Sequence, residues 1–209
     1  MEDPKPTVTV GATVPAERIA AAAAVRRLIH SFVAHDGDIA VLGRIAAEAD
    51  RLAEELRAAP GRVREQSVLD RFAMPKADGD ELACFDDCMV AGPANPLSAG
   101  TSGRRDGDEA VLTVTLDAGF EGLPGRAHGG ALACLFDEAM GYALYMDAVP
   151  AFTAWLKVNY RAPVPAGTPL ELRARLARRE DRKCTMTATA TVDGSVVADA
   201  EALFVVPRV

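Results

Sequence analysis

Two features of the sequence could act together on a carbonyl group. His128-Gly129-Gly130 stand immediately ahead of a long apolar run, and Asp137 lies inside that run, nine residues beyond His128. Paired glycines at a helix start offer free N–H groups and the positive end of the macrodipole, with no side chain to obstruct a ligand oxygen. Such donors suit an oxyanion. Asp137 meets the other requirement, as a general base toward water or as a nucleophile. Gly130 and Asp137 are seven residues apart, so at about 1.5 Å of rise per residue the carboxylate lies on the order of 10 Å along the helix axis. A reaction centre needs both groups within about 3 Å of the reacting atoms. A two-fold dimer solves this by bringing Asp137 of one copy toward Gly129 and Gly130 of the other. We expect a homodimer, with a tetramer as the next assembly up.

Plainer readings stand beside these. Asp137 could be an inert helix acid, but a carboxylate among Leu135, Phe136, Ala139 and Met140 would need a buried partner, which favours a site. Glu138, about 100° round the helix, reads as a structural or interface acid. His128 could be a base, yet its place ahead of the turn favours orienting the loop through hydrogen bonds. His30 and His35 read as surface residues.

The elements that must position these residues follow from periodicity. Residues 1–15 hold Pro4, Pro6, Gly11 and Pro15 with no sustained period and read as a loose lead-in. Over 16–59 the spacing is helical: Ile19, Ala22, Ala23, Leu28 and Phe32 share one stripe. Ile45, Leu52 and Leu56 share another, after a break at Asp36-Gly37-Asp38, so a helical hairpin is expected. Pro60-Gly61 opens a linker over 60–80, and from Glu81 the pattern turns strand-like, with Leu112, Val114 and Leu116 alternating with threonines. After a Gly/Pro-rich turn and the apolar helix come four strand signals, expected to form a meander. In the first, alternation places Thr153, Trp155, Lys157 and Asn159 on one face. Asp193-Gly194 predicts a hairpin turn before the last strand. A helix apolar all round, followed by antiparallel strands, predicts an α+β fold with the sheet curled about the helix over 81–207.

A length of 209 residues and a hydrophobic fraction of 49% suit one domain with an extension. The formal charge of −7 argues against a general nucleic-acid surface. Ala131 to Val149 has the length of a membrane span, but Asp137 and Glu138 interrupt its middle, so no span is expected. Cys84, Cys88, Cys134 and Cys184 occur without an export signal, and only Cys84 and Cys88 approach a metal-ligand interval. We read them as free thiols in a cytoplasmic protein that binds no metal.

The run Phe120-Glu121-Gly122-Leu123-Pro124-Gly125-Arg126-Ala127-His128-Gly129-Gly130, with Asp137, Thr153-Ala154 and Asn159-Tyr160-Arg161-Ala162-Pro163, resembles the PaaI-type thioesterases of the hotdog superfamily, in particular the carboxyl-terminal-modulator-protein branch. The resemblance covers about Glu81 to Val206 and leaves the helical extension unassigned. It implies a hotdog fold and hydrolysis of an acyl-CoA thioester, with no cofactor beyond the CoA of the substrate. Asp137 matches the catalytic acid, the glycine turn the carbonyl-polarising element, and Thr153 the hydroxyl that helps place the attacking water. Cys84 to Leu97 only loosely echoes the family's opening, which implies a different pocket entrance.

CoA carries several phosphates, and Arg178, Arg179, Arg182 and Lys183 cluster at a turn, with Arg161 at another strand end. Arginine forks suit phosphate, though such a cluster equally serves as solubilising surface. Asn159 either lines the site or satisfies backbone groups. The aliphatic helix and sheet faces suit a medium or long acyl chain. The alternative function is a non-catalytic acyl-CoA-binding or sensing protein. A hydratase would place an Asp and a His together, an arrangement not evident here.

Overall fold

The computed structural model describes residues 14–61, 72, 74–83 and 85–208. The lead-in before residue 14, most of the linker and Cys84 lie outside the described residues. Three α-helices are present among them: α1 (Ala16–Ala34), α2 (Ile39–Ala58) and α3 (Gly129–Tyr145). The strands are β1 (Ser102–Asp106), β2 (Glu109–Thr115), β3 (Glu121–Leu123), β4 (Arg126–Ala127), β5 (Phe152–Tyr160), β6 (Pro169–Glu180), β7 (Lys183–Val192) and β8 (Ser195–Val205). All but β3 and β4, which pair with each other, form one antiparallel sheet in the order β1-β2-β6-β7-β8-β5. The α+β class and the sheet packed on a central helix agree with the sequence reading.

The core is the face of α3 that carries Leu132, Leu135, Phe136, Ala139, Met140 and Ala143, set against Leu112, Leu170, Leu172, Ala174 and Met186 of the sheet. Burying each large side chain here is worth roughly 1.5–3 kcal/mol. The expectation of a helix enclosed all round is corrected: Ala133, Cys134, Asp137, Glu138 and Gly141 form a half-buried stripe on α3. That stripe lies beside the packed core face, toward Thr153 of β5 and Cys88, and this leaves Asp137 half-buried.

The four-strand meander is also corrected. β6, β7 and β8 follow one another, but β5 crosses to the far side and pairs with β8, leaving one of its edges unpaired among the described residues. Alternation tells which way a side chain points, not which strand lies next door. Strand structure does not begin at Glu81, which makes only an isolated bridge to Arg104. Residues 85–100 are turns and coil instead, where Pro93 and Pro96 lack N–H donors and a Cβ at Gly92 would meet the Asp86 carbonyl oxygen at 2.4 Å. At the β7–β8 hairpin, Asp193 and Gly194 both have positive φ (48° and 76°), as the two-residue turn requires.

The extension is two helices, but their packing differs from the expected hairpin. α1 docks on the domain through Ile19, Ala22, Ala23, Arg26, Ile29 and His30, while Leu28 and Phe32, expected on its buried stripe, are exposed. α2 is capped by Asp38, whose carboxylate accepts from Val41 N–H at 2.7 Å, and buries none of its residues. His35 is exposed, whereas His30 is not a free surface residue, because its Nδ1 accepts from Gly119 N–H at 3.1 Å.

Candidate active site

β5 carries one residue more than the stretch of β8 it pairs with. Thr153 stands opposite Phe204 and Trp155 opposite Leu203, so Ala154 is the bulge. The extra residue reverses the alternation. Thr153 therefore shares the helix-facing side with Leu156, Val158 and Tyr160, while Trp155, Lys157 and Asn159 turn to the opposite face. From that position the Thr153 hydroxyl donates to Asp137 Oδ1 at 2.7 Å. One carboxylate oxygen is held, and the other is available on the half-buried side of α3.

The far end of β5 grips the start of the same helix. Tyr160 donates its phenol hydrogen to the Gly129 carbonyl at 2.7 Å. His128, the N-cap, accepts from Gly130 N–H through Nδ1 at 2.9 Å. With Nδ1 accepting, the neutral ring carries its hydrogen on Nε2. The peptide between Gly129 and Gly130 is thus bonded at both ends. Among the described residues, the Gly129 N–H has no acceptor and stands free at the positive end of α3. Of the two expected donors, Gly130 is engaged within the chain and Gly129 is not. Tyr160 carried no role in the sequence reading, although an aromatic at the end of that strand motif was the available signal.

Asp137 and Gly129 are bonded to opposite ends of β5, Thr153 and Tyr160 respectively, so one chain does not bring them together. The remaining predicted binding residues are dispersed. Asn159 donates to Asp199 at 2.9 Å and Arg161 pairs with the same carboxylate, on the sheet face away from α3. These two contacts hold Asp199 below the usual carboxylate range, the Asn159 bond contributing most. The expectation that Asn159 shares a face with Thr153 is therefore overturned by the bulge. Arg178, Arg179, Arg182 and Lys183 gather at the β6–β7 hairpin, at the end of the sheet where β5 begins. Arg178 pairs with Glu180, and Arg182 donates to the Val206 carbonyl at 3.1 Å. Arg179 and Lys183 are exposed.

Glu138 has a different environment from its neighbour. Its Oε2 accepts from the Cys88 thiol at 3.2 Å, tying the turn at 85–92 to α3. Burial raises the Glu138 pKa from its ordinary value and the Asp137 charge adds to it, against the opposing bonds from Cys88 and Tyr142. Burial, then Glu138, likewise raises the Cys88 thiol, which stays protonated and able to donate. A carboxyl with a raised folded pKa supports the fold fully below its unfolded value, near 4.5, and loses that support as pH rises through the folded value. Glu138→Gln, neutral throughout, should therefore melt higher than the wild type at pH 7 by roughly 2–4 °C. The gap should close near pH 4, and melting curves across that range with a constant gap would contradict this.

Cys88, Cys134 and Cys184 are free thiols. No group of three or more His, Cys, Asp or Glu among the described residues could hold a metal ion. No helix among them is long and apolar enough to cross a membrane.

Comparison with known proteins bears on this geometry. A family model described as Thioesterase superfamily matches residues 124–198, which takes in His128, Gly129, Asp137 and Thr153. Acyl-coenzyme A thioesterase THEM5 of Mus musculus is 36% identical over 71 residues, 34% of this chain and 29% of that protein. Acyl-coenzyme A thioesterase THEM4 of Mus musculus is 32% identical over 98 residues, 44% of this chain and 42% of that protein. The chain thus matches less than half the length of these curated relatives. A crystal structure of a thioesterase superfamily protein is 29% identical, covers 90% of each chain and superposes with a TM-score of 0.77. At that coverage the likeness extends beyond the sheet and α3 into the helical extension. Residues 124–198 thus match the thioesterase superfamily, and the curled sheet and central helix have the hotdog fold of its solved members.

Proposed function

We propose that this protein hydrolyses acyl-CoA thioesters to the free acid and CoA, in sites that each combine Asp137 of one chain with the Gly129 N–H of a second. The observation that carries the reading is the pairing of a Thr153-held carboxylate with a free N–H at a helix start. β5 supplies the geometry for sharing. Its outer edge is unpaired among the described residues, and Phe152, Trp155 and Tyr160 are exposed along it. Antiparallel pairing of β5 with its own copy about the strand's midpoint sets Thr153 of one protomer near the partner's Tyr160. Asp137 then approaches the partner's Gly129, which closes the gap that the helix imposes within one chain.

In such a site the thioester oxygen accepts from Gly129 N–H, and negative charge developing there meets the helix dipole. Asp137 takes a proton from water, which attacks the carbonyl carbon; the tetrahedral intermediate then expels the CoA thiolate. Thr153 fixes one oxygen of Asp137 so that the other faces the water. His128 orients the loop by capping α3. The aliphatic faces of α3 and the sheet suit a medium or long acyl chain, and Arg179, Arg182 and Lys183 offer charge to the CoA phosphates. Free thiols at three described cysteines accord with a reducing, cytoplasmic setting.

Release of free thiol from a series running from acetyl-CoA to palmitoyl-CoA tests the activity. Turnover of at least one acyl chain is expected, and CoA binding without thiol release at any length would make the protein an acyl-CoA sensor instead. Thr153→Val keeps the shape and removes the bond to a charged group, so kcat should fall about 10- to 100-fold with KM little changed. A Thr153→Val enzyme with wild-type kcat would remove Thr153 from the mechanism.

A further inference from the structure

α1 reaches the hotdog domain at two separate places. The Arg26 guanidinium donates to the carbonyls of Asn95 at 2.9 Å, Ser98 at 3.2 Å and Pro93 at 3.5 Å, which fastens the helix to the loop at 93–98. One turn further on, His30 Nδ1 accepts from Gly119 N–H at 3.1 Å, and its ring lies 5.6 Å from that of Phe120. The approach there is close. A Cβ at Gly119 would come within 2.9 Å of His30 Nδ1 and 3.1 Å of Ile29 Cγ2.

The turn that His30 holds is connected to the start of α3. The Phe120 carbonyl accepts from His128 N–H at 2.8 Å, and His128 Nδ1 accepts from Gly130 N–H at 2.9 Å. Gly122 leaves space for the imidazole, since a Cβ there would lie 2.7 Å from His128 Cδ2. Three hydrogen bonds in series therefore run from a helix outside the hotdog domain to the first turn of its central helix. An acceptor at position 30 also satisfies the part-buried Gly119 N–H, whose loss of a partner would cost about 1–3 kcal/mol.

We infer that His30 is a positioning residue for the thioesterase site: through Gly119, Phe120 and His128 it fixes the aim of the Gly129 N–H. The inference rests on the hydrolase reading above. It gives α1 a part in the chemistry although no α1 side chain reaches Asp137 or Gly129. The coupling is directional in residue type. A residue at 30 must present an acceptor to the turn, whereas Arg26 contacts a different loop and has no bond to the path through His128.

Three variants of the full chain separate positioning from simple docking. His30→Phe keeps a ring against Phe120 and removes the acceptor. His30→Asn keeps an acceptor on Cγ, as Nδ1 is, and removes the ring. Arg26→Ala loosens α1 at its other attachment. Steady-state hydrolysis of the best acyl-CoA is measured for each, with amide hydrogen exchange at Gly119, His128 and Gly130. His30→Phe should lower kcat about 10-fold with KM within about 2-fold, because misaimed donors lose rate rather than binding. It should also speed exchange at all three amides. His30→Asn should restore most of kcat, and Arg26→Ala should keep wild-type kcat. Wild-type kcat in His30→Phe would overturn the proposal, as would an equal loss in Arg26→Ala or no rescue by asparagine. Should the wild type release no thiol, the hydrolase reading fails separately, and exchange still decides. Faster exchange at His128 and Gly130 in His30→Phe but not in His30→Asn upholds the path, and unchanged exchange removes it.

Discussion

Asp137→Asn should lower kcat for acyl-CoA hydrolysis by about 10²- to 10⁴-fold while leaving KM within a few-fold of the wild type. Asparagine is chosen because it preserves what holds the position. Its Oδ1 can still accept from Thr153, which bonds the wild-type Asp137 at 2.7 Å, and its volume on the half-buried stripe of α3 is the same. Only the base is removed. The adjacent Glu138 cannot take over, because it sits about 100° round the helix and is bonded to Cys88. Progress curves at saturating substrate, with CD spectra to verify folding, measure the effect. A folded Asp137→Asn enzyme retaining more than a third of wild-type kcat would show that the carboxylate is not the group that activates water.

Removal of the Gly129 N–H should cost about 10²- to 10³-fold in kcat, the usual loss for one oxyanion donor. Gly129→Pro deletes that hydrogen at a position that tolerates proline. Residue 129 is the first of α3, where proline is favoured. His128 already has φ −68° and ψ 133°, the extended conformation that a residue before proline adopts. A new Cβ would lie 3.3 Å from Tyr160 Cζ, so the ring must yield slightly. Gly129→Ala introduces the same Cβ and keeps the N–H, so the ratio of the two variants isolates the donor. Equal kcat values for alanine and proline would mean that the thioester oxygen is held elsewhere.

The sequence conveyed the types of the elements better than their neighbours. The apolar helix, its glycine start and the β6–β7–β8 succession follow from period and turn chemistry, and Asp193-Gly194 forms the hairpin its residues require. The crossing of β5 to the β8 side did not, because period-two alternation carries no information about strand order. The same strand shows how one residue misdirects a reading. Ala154 is neither Gly nor Pro, so nothing marks the bulge, and unbroken alternation places Asn159 beside Thr153 when it lies on the other face with Asp199. In α1 the search for apolar stripes pointed to Leu28 and Phe32. The docking face keeps Ile19, Ala22 and Ala23 of that stripe but continues through Arg26 and His30, whose polar atoms meet loop carbonyls and an N–H. Glu138 and Cys88 stand fifty residues apart, and only the fold brings thiol to carboxylate.

The separation of Asp137 from Gly129 was legible from helix rise alone, and in the structure the two are bonded to different ends of β5. The claim that two chains share each site is tested most directly by complementation. Asp137→Asn and Gly129→Pro chains carrying different tags are co-expressed, and the mixed dimer is isolated by sequential capture. One of its two sites then combines an intact Asp137 with an intact Gly129, while the other carries both defects. The mixed dimer should regain about half of wild-type activity, although each parent alone is nearly inactive. Activity no greater than the mean of the two parents would contradict the shared site and place Asp137 and Gly129 in one chain.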